Sequence, residues 1–166
     1  MGRRVTMRRR EGGGYDAVTD TNTVDFQFSL AKDELVTPKI LVCGSDKGKA
    51  AAEDWGLLLT TNNVSYALGN DAKEELPTHI LAGDRSMTGF EVTGQPNNAA
   101  CYVISNPTGG MDAKWDPSLN HGNNSGNLAF CDGSVQQLGR VAFVNTLRSF
   151  NRSNMVDNAT VRMFLP

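Results

Sequence analysis

Few residues in this chain are able to do chemistry. Among its 166 residues are two histidines, His79 and His121, and three cysteines, Cys43, Cys101 and Cys131. The stretch from His121 to Leu138, HGNNSGNLAFCDGSVQQL, brings a histidine, a cysteine and an aspartate into one short span. A cysteine nucleophile needs a histidine base at hydrogen-bond distance and a third group that orients the imidazole. His121, Cys131 and Asp132 supply those types, but their placement works against the use. Cys131 stands beside an Asp-Gly turn, and His121 lies ten residues before Cys131 across a loop rich in glycine and asparagine. His79 begins a strand and has no evident partner in the sequence. The chain carries no G-x-S-x-G, HExxH, P-loop or dinucleotide fingerprint. The expectation is therefore a non-enzymatic protein, with no catalytic, cofactor-binding or metal-ligating residue assigned. His121, Asp132 and Gly133 are given a structural role, a hairpin with a polar lead-in loop.

Metal chemistry is weighed in the same way. The cysteines have no CxxC spacing, so zinc is not indicated, and they read as small residues in strands. One disulfide with one free thiol is also compatible with an oxidising compartment. Asp46, Asp71, Asp84, Asp112, Asp116 and Asp132 all fall in turn contexts, and MDAKWDPSLNHGNNSG is rich in the oxygens that calcium takes. The EF-hand spacing is absent, and turn aspartates more often accept hydrogen bonds from nearby backbone N–H groups. Calcium therefore belongs to the second reading, an extracellular calcium-stabilised module that binds a ligand such as a glycan.

The elements that would position these residues follow from periodicity. Residues 25–36 suit a strand or a short helix, and Lys39 to Cys43 a β-rich run after Pro38. KGKAAAEDWGLLL suits a short helix over its alanines. NNVSYALG alternates Val64, Tyr66 and Leu68, and with HILAGD it forms a hairpin with a long loop. GFEVTG and ACYVIS read as further short strands, SNPTGGMDAKWDPSLN as loop, and TVRMFLP as a last strand. A two-residue Asp132-Gly133 turn places Cys131 opposite Ser134 and Phe130 opposite Val135. Leu128, Phe130 and Val135 then share an apolar face. Gly139 to Phe150 is predicted as an amphipathic helix burying Val141, Val144, Leu147 and Phe150. The fold class is α+β: an antiparallel sheet, one C-terminal amphipathic helix and many loops.

Charge and composition bound the rest. Residues 1–10, MGRRVTMRRR, hold five arginines and no acid, whereas the whole chain has a net charge of −2. Residues 1–24 are read as a disordered basic arm and 25–166 as one globular domain. No aromatic residue interleaves with the arginines, so a nucleic-acid partner is not expected. The longest purely apolar run, AACYVI, is six residues, far short of the ~20 that span a bilayer. The expectation is a chain without a membrane span or a signal segment.

Four strings occur in a fixed order: TPKILVCGSDKGKAAAEDW, NNVSYALGNDAKEELPTHILAGDR, HGNNSGNLAFCDGSVQQL and the terminal RMFLP. Together they resemble the globular part of the type II secretion pseudopilin-like, prepilin-type proteins of planctomycetes and verrucomicrobia. The likeness covers about residues 25–166. That family carries a histidine, nine residues, then Asp-Gly, which map here to His121, Asp132 and Gly133 with one extra residue between. Gly44 stands where the family usually has proline, and residues 1–24 differ from its apolar prepilin helix. The resemblance implies a pilin-like head in the cell envelope, periplasm or cell surface. Its partners would be other pilin-like subunits or secretion-system proteins. It also implies a sheet face that lacks its usual helix and needs cover from residues 25–36 or from the C-terminal helix.

Overall fold

The computed structural model describes residues 23–56, 59–69, 72–89, 101–104, 113–121, 124–153 and 161–166. The first expectation resolves as helix, because DFQF and KDEL carry too little β-branching to favour a strand. Val24–Ser29 forms α1 and Lys32–Leu35 a single further turn, α2. Pro38–Leu41 is a turn of 3₁₀ helix rather than a strand, started by Pro38 at its first position and capped by the Thr37 hydroxyl. The alanine segment forms no helix among the described residues. Its backbone bonds elsewhere: Ala50 donates to Asn62 O at 3.2 Å and accepts from the Asn63 side-chain amide at 2.7 Å.

The strands run in chain order as β1 Tyr66–Gly69, β2 Ile80–Asp84, β3 Met87–Thr88, β4 Cys101–Ile104, β5 Lys114–Trp115, β6 Ser125–Phe130 and β7 Val135–Gly139. Helix α3, Arg140–Ser153, and strand β8, Val161–Phe164, follow. Six strands form one sheet in the order β4-β8-β1-β2-β6-β7, with antiparallel pairing throughout, while β3 and β5 make a separate two-stranded ribbon. The class is α+β, as the sequence pattern indicates. Among the described residues no helix is long and apolar enough to cross a membrane. Residues 1–22, most of GFEVTG, and much of the long loop after Ile104 lie outside the described residues.

Two apolar clusters flank the sheet. One gathers Ala67, Ile80, Leu128, Phe130, Leu138 and Met163 with Phe143, Val144 and Leu147 of α3. The other gathers Leu68 and Val64 with Val24 of α1, Leu41 and Leu59, and with Phe28, Leu35 and Ala82 packed against it. Ala67 and Leu68 are consecutive and so point to opposite faces. Ile80 and Ala82 should share a face, yet they join different clusters. The register slips between them in the β2–β6 pairing, and that irregularity turns the strand over. Cover therefore comes both from the N-terminal helical turns and from α3.

Three details correct the sequence reading. Ala129 pairs with Val135 and Phe130 N donates to Ser134 O at 2.9 Å, so the hairpin loop is the three residues Cys131–Gly133 rather than two. Gly133 N donates to Phe130 O, and Gly133 sits at φ +83°, the three-residue hairpin with a left-handed last position. The one-residue change of register turns Val135 outward, 66% exposed, away from Leu128. In α3 the buried seam is Phe143, Val144 and Leu147, whereas Val141 is 76% exposed. The start of the helix directly after β7 sets its phase, and the seam follows the i, i+4 pair Phe143–Leu147. Lastly, Lys114 and Trp115 fall in a segment read as loop but form β5. The Trp115 ring stacks on Phe143 with centroids 4.3 Å apart and lies directly over Gly126, where any Cβ would strike it.

Candidate functional site

The strings CGSD, NVSY and AGDR meet in space with His121 and Asn127. The loop Cys43–Gly48 reaches β1 and the end of β2, and His121 sits over the same place. Ser65 N donates to Leu41 O at 2.8 Å and Arg85 N to Ser65 O at 3.0 Å, so backbone bonds set the frame.

On one side of this cluster Asp46 is nearly fully buried, with 3% of its surface exposed. Oδ2 accepts from Arg85 Nε at 2.5 Å and Ser65 Oγ at 2.9 Å, and Oδ1 from Arg85 Nη2 at 2.7 Å and Gly48 N at 3.1 Å. A carboxylate out of water is costly unless its lone pairs are filled, and here four donors fill them. The bidentate guanidinium fork is foremost in holding the Asp46 carboxyl down at about 2, against the opposing effect of burial. The same bond pushes the Arg85 guanidinium further up. Burial, followed by the Arg85 charge, lowers Lys49, whose Nζ donates to Thr61 O at 2.7 Å.

On the other side stands His121, at φ +59°, a left-handed conformation that histidine enters more readily than most side chains. Its Nε2 is 3.5 Å from Cys43 Sγ and 3.5 Å from Asp84 Oδ2. Asp84 is 2% exposed and its Oδ2 accepts from Asn127 N at 2.6 Å and Asn127 Nδ2 at 3.0 Å. Cys43 Sγ also lies 3.0 Å from Ser45 Oγ and is hydrogen-bonded with Tyr66. Burial, then the charges of Cys43 and Asp84, push the Tyr66 phenol up. A catalytic relay places the nucleophile on one ring nitrogen and the orienting carboxylate on the other. Here both partners converge on Nε2, so the arrangement is not the relay of an acyl-transfer enzyme. Among the described residues no group of three or more His, Cys, Asp or Glu is placed to hold a metal ion.

The predicted motif residues thus separate. His121 joins Cys43 and Asp84. Asp132 and Gly133 serve the β6–β7 turn, where Asp132 Oδ1 accepts from Ser134 N at 2.8 Å. The two bonds from Ser134 lower the Asp132 carboxyl. Cys131 is half-buried, donates its N–H to His79 O at 2.9 Å, and has its thiol pushed up by burial. Of the aspartates weighed for calcium, Asp116 binds its own turn through Ser118 N at 2.8 Å and Ser118 Oγ at 2.6 Å. Asp71 and Asp112 lie outside the described residues. Sequence reasoning missed Cys43, Asp84, Arg85 and Tyr66 as members of the site. Their signal was present in the strings themselves, but sequence separation hid the contact.

Comparison with known proteins finds no family model, no curated protein and no solved structure that matches the chain.

Proposed function

We propose that the chain is a non-enzymatic pseudopilin-like structural subunit of a type II secretion or type IV pilus-like assembly. It works through protein–protein contacts in the cell envelope. The supporting observation is that the acidic groups at the centre of the resembling strings are turned inward. Asp46 and Asp84 are filled by Arg85, Ser65, Gly48 and Asn127, so that Asp46 fastens the loop before β1 to the sheet and Asp84 ties β2 to β6. Such a cluster fixes the shape of a head and leaves its outer surface to partners. The test is photo-crosslinking in the native cell from the exposed positions Val135 and Val141. Adducts with copies of the chain or with envelope proteins are expected. A monomer without adducts, recovered away from the envelope fraction, would overturn the reading. So would a hydrolytic turnover that His121→Ala abolishes.

A further inference from the structure

We propose that Cys43 is the reactive thiol of this chain, a site of S-thiolation by low-molecular-weight disulfides with His121 as its proton acceptor. The thiol is half-buried rather than sealed in. It is flanked by the exposed residues Gly44 and Ser45. Apart from Gly44 itself and its neighbours Cys43 and Ser45, nothing lies within 4 Å of where a Cβ on Gly44 would stand, so the chain beside the thiol is open to a small reagent. The thiolate is the nucleophile in disulfide exchange, so a base next to sulfur sets the rate. His121 Nε2 is that base, at 3.5 Å from Sγ. The resulting imidazolium faces Asp84 Oδ2, 3.5 Å away, on a carboxylate that Asn127 holds in place. Tyr66 and Ser45 hydrogen-bond with the sulfur, and the charged groups behind them are Asp46 and Arg85.

The step balances. His121 Nε2 takes the Sγ proton, and Sγ attacks one sulfur of the disulfide. That S–S bond breaks as the new one forms. The departing thiolate is protonated, from His121 or from water, and Cys43 is left as a mixed disulfide. One disulfide is consumed and one thiol released, with no further oxidant. The consequence is a reversible covalent mark beside the Asp46–Arg85 clamp. Cys131 provides an internal comparison, because it is half-buried without such a base among its described contacts and its thiol is pushed up.

The test treats the full chain with a sub-stoichiometric amount of the neutral disulfide 2,2′-dithiodipyridine. The labelled cysteine is identified by peptide mass spectrometry. Cys43 is expected to carry most of the label and to react about tenfold faster than Cys131. His121→Gln is expected to slow Cys43 by about tenfold while Cys131 keeps its rate. Labelling led by Cys131 or Cys101, or an unchanged Cys43 rate in His121→Gln, would overturn the proposal. If His121→Gln loosens the fold, Cys131 will speed up, and Tyr66→Phe then decides. Removal of that hydroxyl is expected to slow Cys43 several-fold, and an unchanged rate would overturn the assignment.

Discussion

Asp46→Asn keeps the shape of the side chain and removes its charge. The wild-type carboxyl titrates at about 2 instead of 3.8. A gap of nearly two pKa units at about 1.36 kcal/mol each corresponds to about 2–3 kcal/mol of native-state stabilisation. Because the folded value is depressed, that contribution is fully present above the unfolded value near 3.8. It is lost as the pH falls from there through about 2. At pH 7 the variant also leaves the Arg85 guanidinium, whose side chain is 14% exposed, beside a neutral amide. The expected loss at pH 7 is therefore about 2–3 kcal/mol. With a urea slope of roughly 1–3 kcal/mol per molar, the midpoint should fall by about 0.7–3 M. The assay is urea unfolding of wild type and variant at pH 7, 4 and 2.5. The gap should be widest at pH 7, nearly the same at pH 4 to 5, and clearly smaller at pH 2.5. Equal midpoints at pH 7, or a gap that acid does not narrow, would refute the assignment of Asp46 as a buried clamp.

Gly126→Ala pushes a methyl group into the Trp115 ring, which is itself pressed on Phe143. It should cost about 1–3 kcal/mol, read as a lower Tm and altered tryptophan emission; an unchanged Tm would show the ring is free to move. Val36 sits at φ +64°, with Thr37 N donating to Leu35 O at 2.7 Å, a γ-turn that is strained for a β-branched residue. Val36→Gly should therefore stabilise the protein by roughly 1 kcal/mol, against the usual penalty for glycine, and calorimetry showing a loss would count against the strain. Gly133→Ala at φ +83° should destabilise the hairpin by about 1 kcal/mol, although space for the methyl group is open. Denaturation that shows no cost would mean the turn relaxes to another type. His121→Ala should lower stability modestly, by about 1 kcal/mol, measured by the urea midpoint, and a variant as stable as wild type would mean that His121 braces nothing.

The strand pattern was legible where alternation was short and clear. NVSYALG and HILAGD pair as β1 and β2, and LAF and VQQL as β6 and β7. What local pattern missed has particular physical causes. The Asp-Gly pair signals a hairpin, but Gly133 alone takes the left-handed position, and the resulting three-residue loop moves Val135 to the opposite face. The alanines at 50–52 favour helix intrinsically, yet bonds to Asn62 and Asn63 take their backbone groups, and tertiary context overrides propensity. The site was hidden for a related reason. Cys131 and Asp132 lie near His121 in sequence, but the β6–β7 hairpin commits them to the turn. Cys43 and Asp84 come from distant segments that only the folded sheet brings to the imidazole.

The strand order carries a consequence for how the chain is made. β8, which follows the other described strands in chain order, does not sit at a margin. It lies between β4 and β1 and bonds to both, Phe164 facing Leu68 on one side and Cys101 on the other. While a ribosome is still adding the residues before Val161, β1 has an open flank and β4 has no neighbour among the other described strands of the main sheet. The growing chain can close the β1–β2–β6–β7 part of the sheet early, but the seams on β8 must wait until Val161–Phe164 has been made. Contacts between segments so far apart in sequence form slowly. Until that seam closes, the nascent protein presents a bare strand edge that a chaperone can hold, or on which neighbouring chains can aggregate.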